Sequence, residues 1–252
     1  MRVEVHATSD VGLQRSHNED IALIGNRLLR DDRYDGVHEV SAQGRPYVLA
    51  VADGLGGQNA GEIASREVLT AFRDEVCGLE SGLSGPSMTH RLTAIGRRIQ
   101  DDLLTRGDAN PRHNGMSTTL TAVVVYEGQF YRAHAGDSRC YVMHDGVFRR
   151  VTRDHTLREF TGNANIPGNI LVNCFGTREE FFVDASQFGS EGEAGDVFLV
   201  CSDGLSDMVP DDTLEKTIGG ETGLDVMGRR LLELARAAGG RDNITFILAR
   251  IL

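Results

Sequence analysis

Short, unbroken apolar runs mark the chain at intervals. Tyr47–Ala52 (YVLAVA), Leu120–Tyr126 (LTAVVVY) and Val197–Cys201 (VFLVC) are rich in β-branched residues. Runs of this length and type predict strands covered on both faces. Asn243–Ile251 (NITFILARI) predicts the same. On a strand, Ile244, Phe246 and Leu248 face one side while Ile247, Ala249 and Ile251 face the other. Helical spacing appears elsewhere. Ala64, Val68, Phe72 and Val76 recur every four positions within 59–77, and Leu92, Ile95, Ile99 and Leu103 form a stripe within 87–106. Met227, Leu231, Leu234 and Ala238 predict a third amphipathic helix. Residues 128–151 alternate between apolar runs and Gly-bearing turns, which predicts a meander of hairpins. Segments 78–87, 107–115 and 161–170 read as exposed loops.

Strands come in runs and helices in pairs. This predicts an α+β fold of two antiparallel sheets with helices outside them, not a strict βαβ winding. No Pro/Ser-rich linker, heptad or internal repeat divides the chain, so residues 1–252 are expected to form a single domain.

Composition narrows the function. There are 26 Lys+Arg against 37 Asp+Glu, a formal charge of −11, which argues against a nucleic-acid binder held by a basic face. No apolar run reaches the length of a membrane span, and the polar N-terminus does not resemble a signal peptide, so no membrane partner is expected. Cys77, Cys140, Cys174 and Cys201 lie far apart without CxxC spacing, as expected for reduced thiols in a cytoplasm.

The candidate chemistry sits at strand ends. Asp53 follows YVLAVA, Asp137 follows the strand FYRAHAG, Asp203 follows VFLVCS and Asp242 precedes the final strand. Asp53 and Asp203 are each followed by Gly, which permits a sharp turn and close backbone approach. One Asp-Gly pair is an ordinary turn. Four acidic strand ends gathered at one edge would repel, and a hard divalent cation is the simplest neutraliser. Arg15, Glu19 and Asp20 add an arginine and two carboxylates ahead of the strand Ile21–Ile24.

Six motifs stand in order: RSHNED at 15–20, VADGLGG at 51–57, GMSTTL at 115–120, AGDSRCYV at 135–142, CSDGLSD at 201–207 and GGRDNIT at 239–245. Together they resemble the protein phosphatase 2C family of metal-dependent serine/threonine phosphatases, most closely its free-standing bacterial members. The resemblance implies a four-layer α-β-β-α sandwich with two, or with a third weaker site three, Mn²⁺ or Mg²⁺ ions at one edge. It further implies that Asp53 bridges two metals with the Gly54 carbonyl on one of them, and that Asp203 and Asp242 hold the other. Glu19 and Asp20 would lie at the edge of the centre, ligating or orienting water. Asp137, Asp203 and Asp207 match the third site, and Arg15 matches the arginine that grips the substrate phosphate. The implied reaction is hydrolysis of phosphoserine or phosphothreonine in proteins by a metal-activated water. A separately encoded Ser/Thr kinase is expected to oppose it, and a monomer is expected.

Leu55 stands where animal members carry a His proposed as general acid, which leaves His17, His134 and His155 as local candidates. Residues 155–176, the flap position in the family, are short and Gly/Asn-rich, which predicts a small mobile flap and an open site. A phosphoprotein-binding pseudophosphatase is the competing class. Narrower roles in stress-regulator, secretion or cell-division systems stay open.

Overall fold

The final strand, β14 (Ile244–Ile251), lies at the centre of the architecture. Its Phe246 and Leu248 pack into a core beneath helices, while Ile247, Ala249 and Ile251 pack into a second core between two sheets. The period-two alternation of apolar residues on both faces therefore does what the sequence predicts. The computed structural model describes residues 1–41, 45–55, 60–189, 192–220 and 223–252.

One six-stranded sheet has the order β11 (Val147–Arg150), β10 (Arg139–His144), β13 (Val197–Cys201), β14, β1 (Arg2–Asp10) and β4 (Arg33–Glu39). The other has the order β12 (Asp184–Gln187), β9 (Gln129–Ala135), β8 (Leu120–Tyr126), β5 (Tyr47–Ala52), β2 (Ile21–Ile24) and β3 (Arg27–Leu29). Neighbours in both sheets pair antiparallel. A short ribbon joins β6 (Gly54–Leu55) to β7 (Ser117–Thr118).

Helices α1 (Ala60–Cys77) and α2 (Gly85–Ala109) cover the second sheet, sharing a core with Ile21, Val48, Ala50, Leu120 and Val124. Helices α5 (Asp211–Gly220) and α6 (Leu224–Ala237) cover the first sheet through Leu214, Ile218, Met227 and Leu231. The layers are helix, sheet, sheet, helix, with a separate apolar core at each of the three contacts. Two short helices, α3 (Leu157–Thr161) and α4 (Asp203–Ser206), and a 3-10 turn at Pro111–His113 complete the described elements.

Two sequence expectations shift, and one strand appears that the apolar pattern does not mark. Helix α2 runs beyond 87–106 at both ends, and at its start Ser84 caps it by accepting from the Ser87 N–H while Pro86 suits a first turn. It takes residues from both flanking segments expected to be loops. The buried stripe of α6 is Leu224, Met227, Leu231, Leu232 and Ala235, so Leu234 is only partly covered and Ala238 is the C-cap. Strand β4 carries no apolar run. Its residues alternate between exposed and half-buried at the sheet edge, where Arg33, Asp35 and Glu39 disfavour pairing with another strand.

Where α6 crosses β1, Gly228 lies against the His6 ring, and a Cβ there would collide with it. His6 is 2% exposed and held by Asp35 Oδ1 at 2.7 Å and Thr8 Oγ1 at 3.0 Å, so the ring has nowhere to move. Gly228→Ala gains about 1 kcal/mol of helix propensity, but overpacking costs about 1–3 kcal/mol. Urea unfolding should show net destabilisation; a more stable variant would refute this packing.

Candidate active site

Strand register brings the acidic residues together. In the second sheet Ile21 pairs with Ala52, so Asp20 and Asp53 lie just beyond paired ends of neighbouring strands. In the first sheet Arg139 pairs with Cys201, which sets Asp137 and Asp203 at the same end of β10 and β13. Asp242 lies two residues before β14. The Asp53 and Asp203 side chains lie near enough across the seam between the sheets for each to influence the other's ionisation.

Asp-Gly matters here through close approach, not through a left-handed turn, because neither glycine has a positive φ. A Cβ on Gly54 would collide with the Gly61 carbonyl, and one on Gly204 with the Asn243 carbonyl. The β5 end therefore presses onto the start of α1, and α4 presses onto the start of β14.

Burial dominates the electrostatics. It pushes the Asp53 carboxyl well above the usual carboxylate range, and Asp20, Asp203, Asp137 and Asp242 push it further. Asp20, Asp137 and Asp203 are raised for the same first reason. Their carboxylate neighbours add to it, chiefly Asp203 for Asp20 and Asp137, and Asp242 for Asp203. Asp207, nearer the rim with its side chain 53% exposed, is also raised by burial.

Several residues that are not themselves candidate ligands hold these groups in place. Ser202 Oγ donates to Asp20 Oδ2 at 2.7 Å. Asn243 Oδ1 accepts from the Glu19 N–H at 2.9 Å, and its Nδ2 donates to the Val11 and His17 carbonyls at 3.0 Å each. Thr118 Oγ1 donates to the Asp53 carbonyl at 2.8 Å, and Thr119 Oγ1 accepts from the Asp53 N–H at 3.0 Å. The motifs GMSTTL, CSDGLSD and GGRDNIT contain these residues, but only the acidic positions of the last two point to metal chemistry. Arg139 grips Asp154 through Nε and Nη2, at 3.0 Å and 2.7 Å, and lies 3.9 Å from Asp207.

Arg15 and Asp242, both candidates from the sequence, pair with each other, Nη2 to Oδ2 at 2.6 Å. The guanidinium is about half exposed on a loop beside a cleft of about 620 Å³ lined in part by Ser16, His17, Asp31 and Arg33. Of the histidines, His134 and His155 are packing residues. His134 is held between Thr121 Oγ1 and the Arg153 carbonyl, and burial followed by His155 pushes it down to about 3. His155 accepts from the Gly136 N–H and contacts Asn173, and burial pushes it down to about 4. His17 stays half exposed, its Nε2 3.5 Å from Glu19 Oε1. Burial raises all four cysteine thiols, Cys174 to about 11 and Cys201 to about 12, so none is a ready thiolate at neutral pH.

The segment 155–176 closes on itself. Val172 N–H bonds the His155 carbonyl, Leu157 N–H bonds the Ile170 carbonyl, and Arg158 Nε donates to the Ile166 carbonyl at 2.6 Å. Phe160 and Ile170 remain exposed on it.

Among the described residues no group of three or more His, Cys, Asp or Glu forms a finished metal cage. Asp242 is turned to Arg15 and Asp20 to Ser202, each satisfying its charge locally. Two observations nevertheless fit divalent cations. Asp203 Oδ1 and Glu19 Oε1 are buried without a hydrogen-bond partner. The donors are also all carboxylate oxygens, the set that Mg²⁺ and Mn²⁺ prefer.

Comparison with known proteins agrees. A family model described as protein phosphatase 2C matches residues 22–248. The serine/threonine protein phosphatase PstP of Mycobacterium tuberculosis is 32% identical over 98% of this chain, which spans 44% of that protein's length. The serine/threonine phosphatase stp of Listeria monocytogenes is 30% identical, over 95% of this chain and 92% of its own. Among solved structures, the S. agalactiae serine/threonine phosphatase superposes with a TM-score of 0.83 at 25% identity, covering 99% of this chain and all of the other. The catalytic domain of PstP, solved in complex with two manganese ions, has a TM-score of 0.76 at 30% identity and covers 98% of each chain. Motif order, the strand-end carboxylates and these likenesses converge: the chain belongs to the protein phosphatase 2C family.

Proposed function

We propose that this chain is a metal-dependent phosphatase that hydrolyses phosphoserine and phosphothreonine in proteins, opposing a Ser/Thr kinase. The observation that carries the reading is the buried, oxygen-only cluster around Asp53, with one exposed arginine at its rim. Asp53, Asp203, Asp242, Glu19 and Asp20, with the Gly54 carbonyl, would hold a dinuclear centre, and Asp137 and Asp207 an outer site. Two Mn²⁺ or Mg²⁺ ions bound there would neutralise the cluster and activate a water for attack on phosphorus.

The remaining steps belong to the chain. Asp242 cannot serve a cation and Arg15 fully at once, so the turn of Asp242 inward frees the guanidinium. Its planar fork then binds two phosphate oxygens, orienting the ester and balancing charge in the transition state. With every thiol held protonated, no cysteine nucleophile competes with water. His17 is the histidine whose exposure leaves it able to meet a leaving group at the rim. Among the described residues no helix is long and apolar enough to cross a membrane. A cytoplasmic monomer with a mobile flap over 155–176 completes the proposal.

Hydrolysis of p-nitrophenyl phosphate and of a phosphothreonine peptide should require Mn²⁺ or Mg²⁺ and stop in chelator. Turnover that survives exhaustive chelation would sink the reading. Asp53→Asn should abolish turnover yet raise the thermal midpoint in chelator, by about 2–4 °C per kcal/mol of repulsion relieved; a lower midpoint would show that the carboxylate is stabilising on its own. A charge-assisted hydrogen bond contributes about 1.5–3 kcal/mol, so Arg15→Ala should raise KM by roughly 10–100-fold with a smaller fall in kcat. Steady-state kinetics showing an unchanged KM would remove Arg15 from phosphate binding.

A further inference from the structure

Arg30 follows β3 and belongs to none of the six motifs, yet it reaches the edge of the carboxylate cluster from behind. Its side chain is 10% exposed. Nε donates to the Asp20 carbonyl at 2.8 Å, and Nη2 to the Glu19 carbonyl at 3.4 Å. The other side of the fork binds helix α1: Nη1 donates to Glu62 Oε1 at 2.7 Å, and Nη2 to Ser65 Oγ at 2.9 Å and the Glu62 carbonyl at 3.2 Å. Ser65 Oγ closes the ring by donating to the Glu19 carbonyl at 2.6 Å.

We propose that Arg30 is a positioning residue for the metal edge, clamping the Glu19–Asp20 backbone to the first turn of α1. The proposal rests on the metal-dependent reading above. Glu19 and Asp20 are consecutive, so once their carbonyls are fixed their carboxylates project from a defined backbone. The same clamp sets α1 against the site, where Gly61 is so close that a Cβ would lie 2.8 Å from Glu19 Oε1 and 2.7 Å from the Gly54 carbonyl carbon. One guanidinium therefore holds three proposed ligand positions, Glu19, Asp20 and Gly54, in mutual register. A lysine has no planar fork and cannot bridge two carbonyls and a helix at once.

Charge alone predicts the opposite outcome to positioning. Removing a cation near carboxylates would tighten Mn²⁺ binding. Arg30 is, however, already paired with Glu62 at 2.7 Å, so little of its charge is left to repel a metal. Loss of the clamp should dominate, as removal of groups that support metal ligands costs roughly 10–100-fold in affinity.

Calorimetric titration with Mn²⁺ tests this without reference to turnover. Arg30→Ala should weaken Mn²⁺ binding roughly 10–100-fold, lower kcat, and leave KM for p-nitrophenyl phosphate near the parent value. Arg30→Lys should recover part of the affinity. Leu231→Ala, a cavity in the far helical layer, should lower the thermal midpoint while keeping parent Mn²⁺ affinity. Parent or tighter Mn²⁺ binding by Arg30→Ala would overturn the proposal. If that variant does not fold, Ser65→Ala, which removes the hydroxyl on the Glu19 carbonyl, takes its place: weaker Mn²⁺ binding supports the clamp and parent affinity overturns it. A parent protein that binds no Mn²⁺ at all would overturn the phosphatase reading along with it.

Discussion

The structure depends on one constraint: mutually repelling carboxylates are buried at the seam where two sheets end. Desolvation and like charge both oppose ionisation of Asp53, and the nearby Arg15 is paired with Asp242 instead. A fold that keeps such a group must be stabilised elsewhere, and here three apolar cores flank the seam. Each fully buried Leu, Ile or Phe contributes about 1.5–3 kcal/mol, so a few such residues offset even a costly cluster. The sandwich is thus a rigid frame that holds charged strand ends together against their repulsion.

Rigidity reaches the carboxylates through neutral partners. Ser202, Asn243, Thr118 and Thr119 bind either a carboxylate oxygen or the backbone beside it. Hydroxyls and amides orient an acidic group without the strong neutralising pull of an ion pair. The charged exceptions are Arg30, buried behind the Glu19–Asp20 backbone, and at the rim Arg15 beside Asp242 and Arg139 near Asp207. Arg15 and Asp242 are exposed enough for their pairing to exchange, because surface ion pairs are worth at most about 1 kcal/mol. Fixed acids inside and an exchangeable pair outside suit the proposed centre, which would bind ions tightly and substrate transiently.

Much of this is legible in the chain. Alternation in NITFILARI marks both faces of β14, and apolar runs ending in Asp mark the acidic edge. Supporting groups are hidden for a physical reason: their partners are backbone atoms from distant segments, and no spacing rule records those. Arg30 illustrates it, since residues 30 and 19–20 meet across a turn and residues 62–65 arrive from a separate helix. Strand β4 escapes sequence reading because an edge strand needs no continuous apolar run. The start of α2 escapes it because Gly and Pro, ordinarily loop residues, serve there as a first turn. The motif marks Arg15 as a rim cation, but a motif cannot say which carboxylate it rests on.

Strand β1 pairs along its length with β14, Val3 opposite Ile251 and Asp10 opposite Ile244. Residues near 15–20 and residue 242 therefore meet only when segments more than two hundred positions apart have found each other. Contacts of such sequence separation form late and slowly. On a ribosome the acidic edge cannot close until the last strand has emerged, so a nascent or truncated chain would carry most of the acidic motifs and yet lack the assembled site. The topology itself acts as a checkpoint against a half-made site.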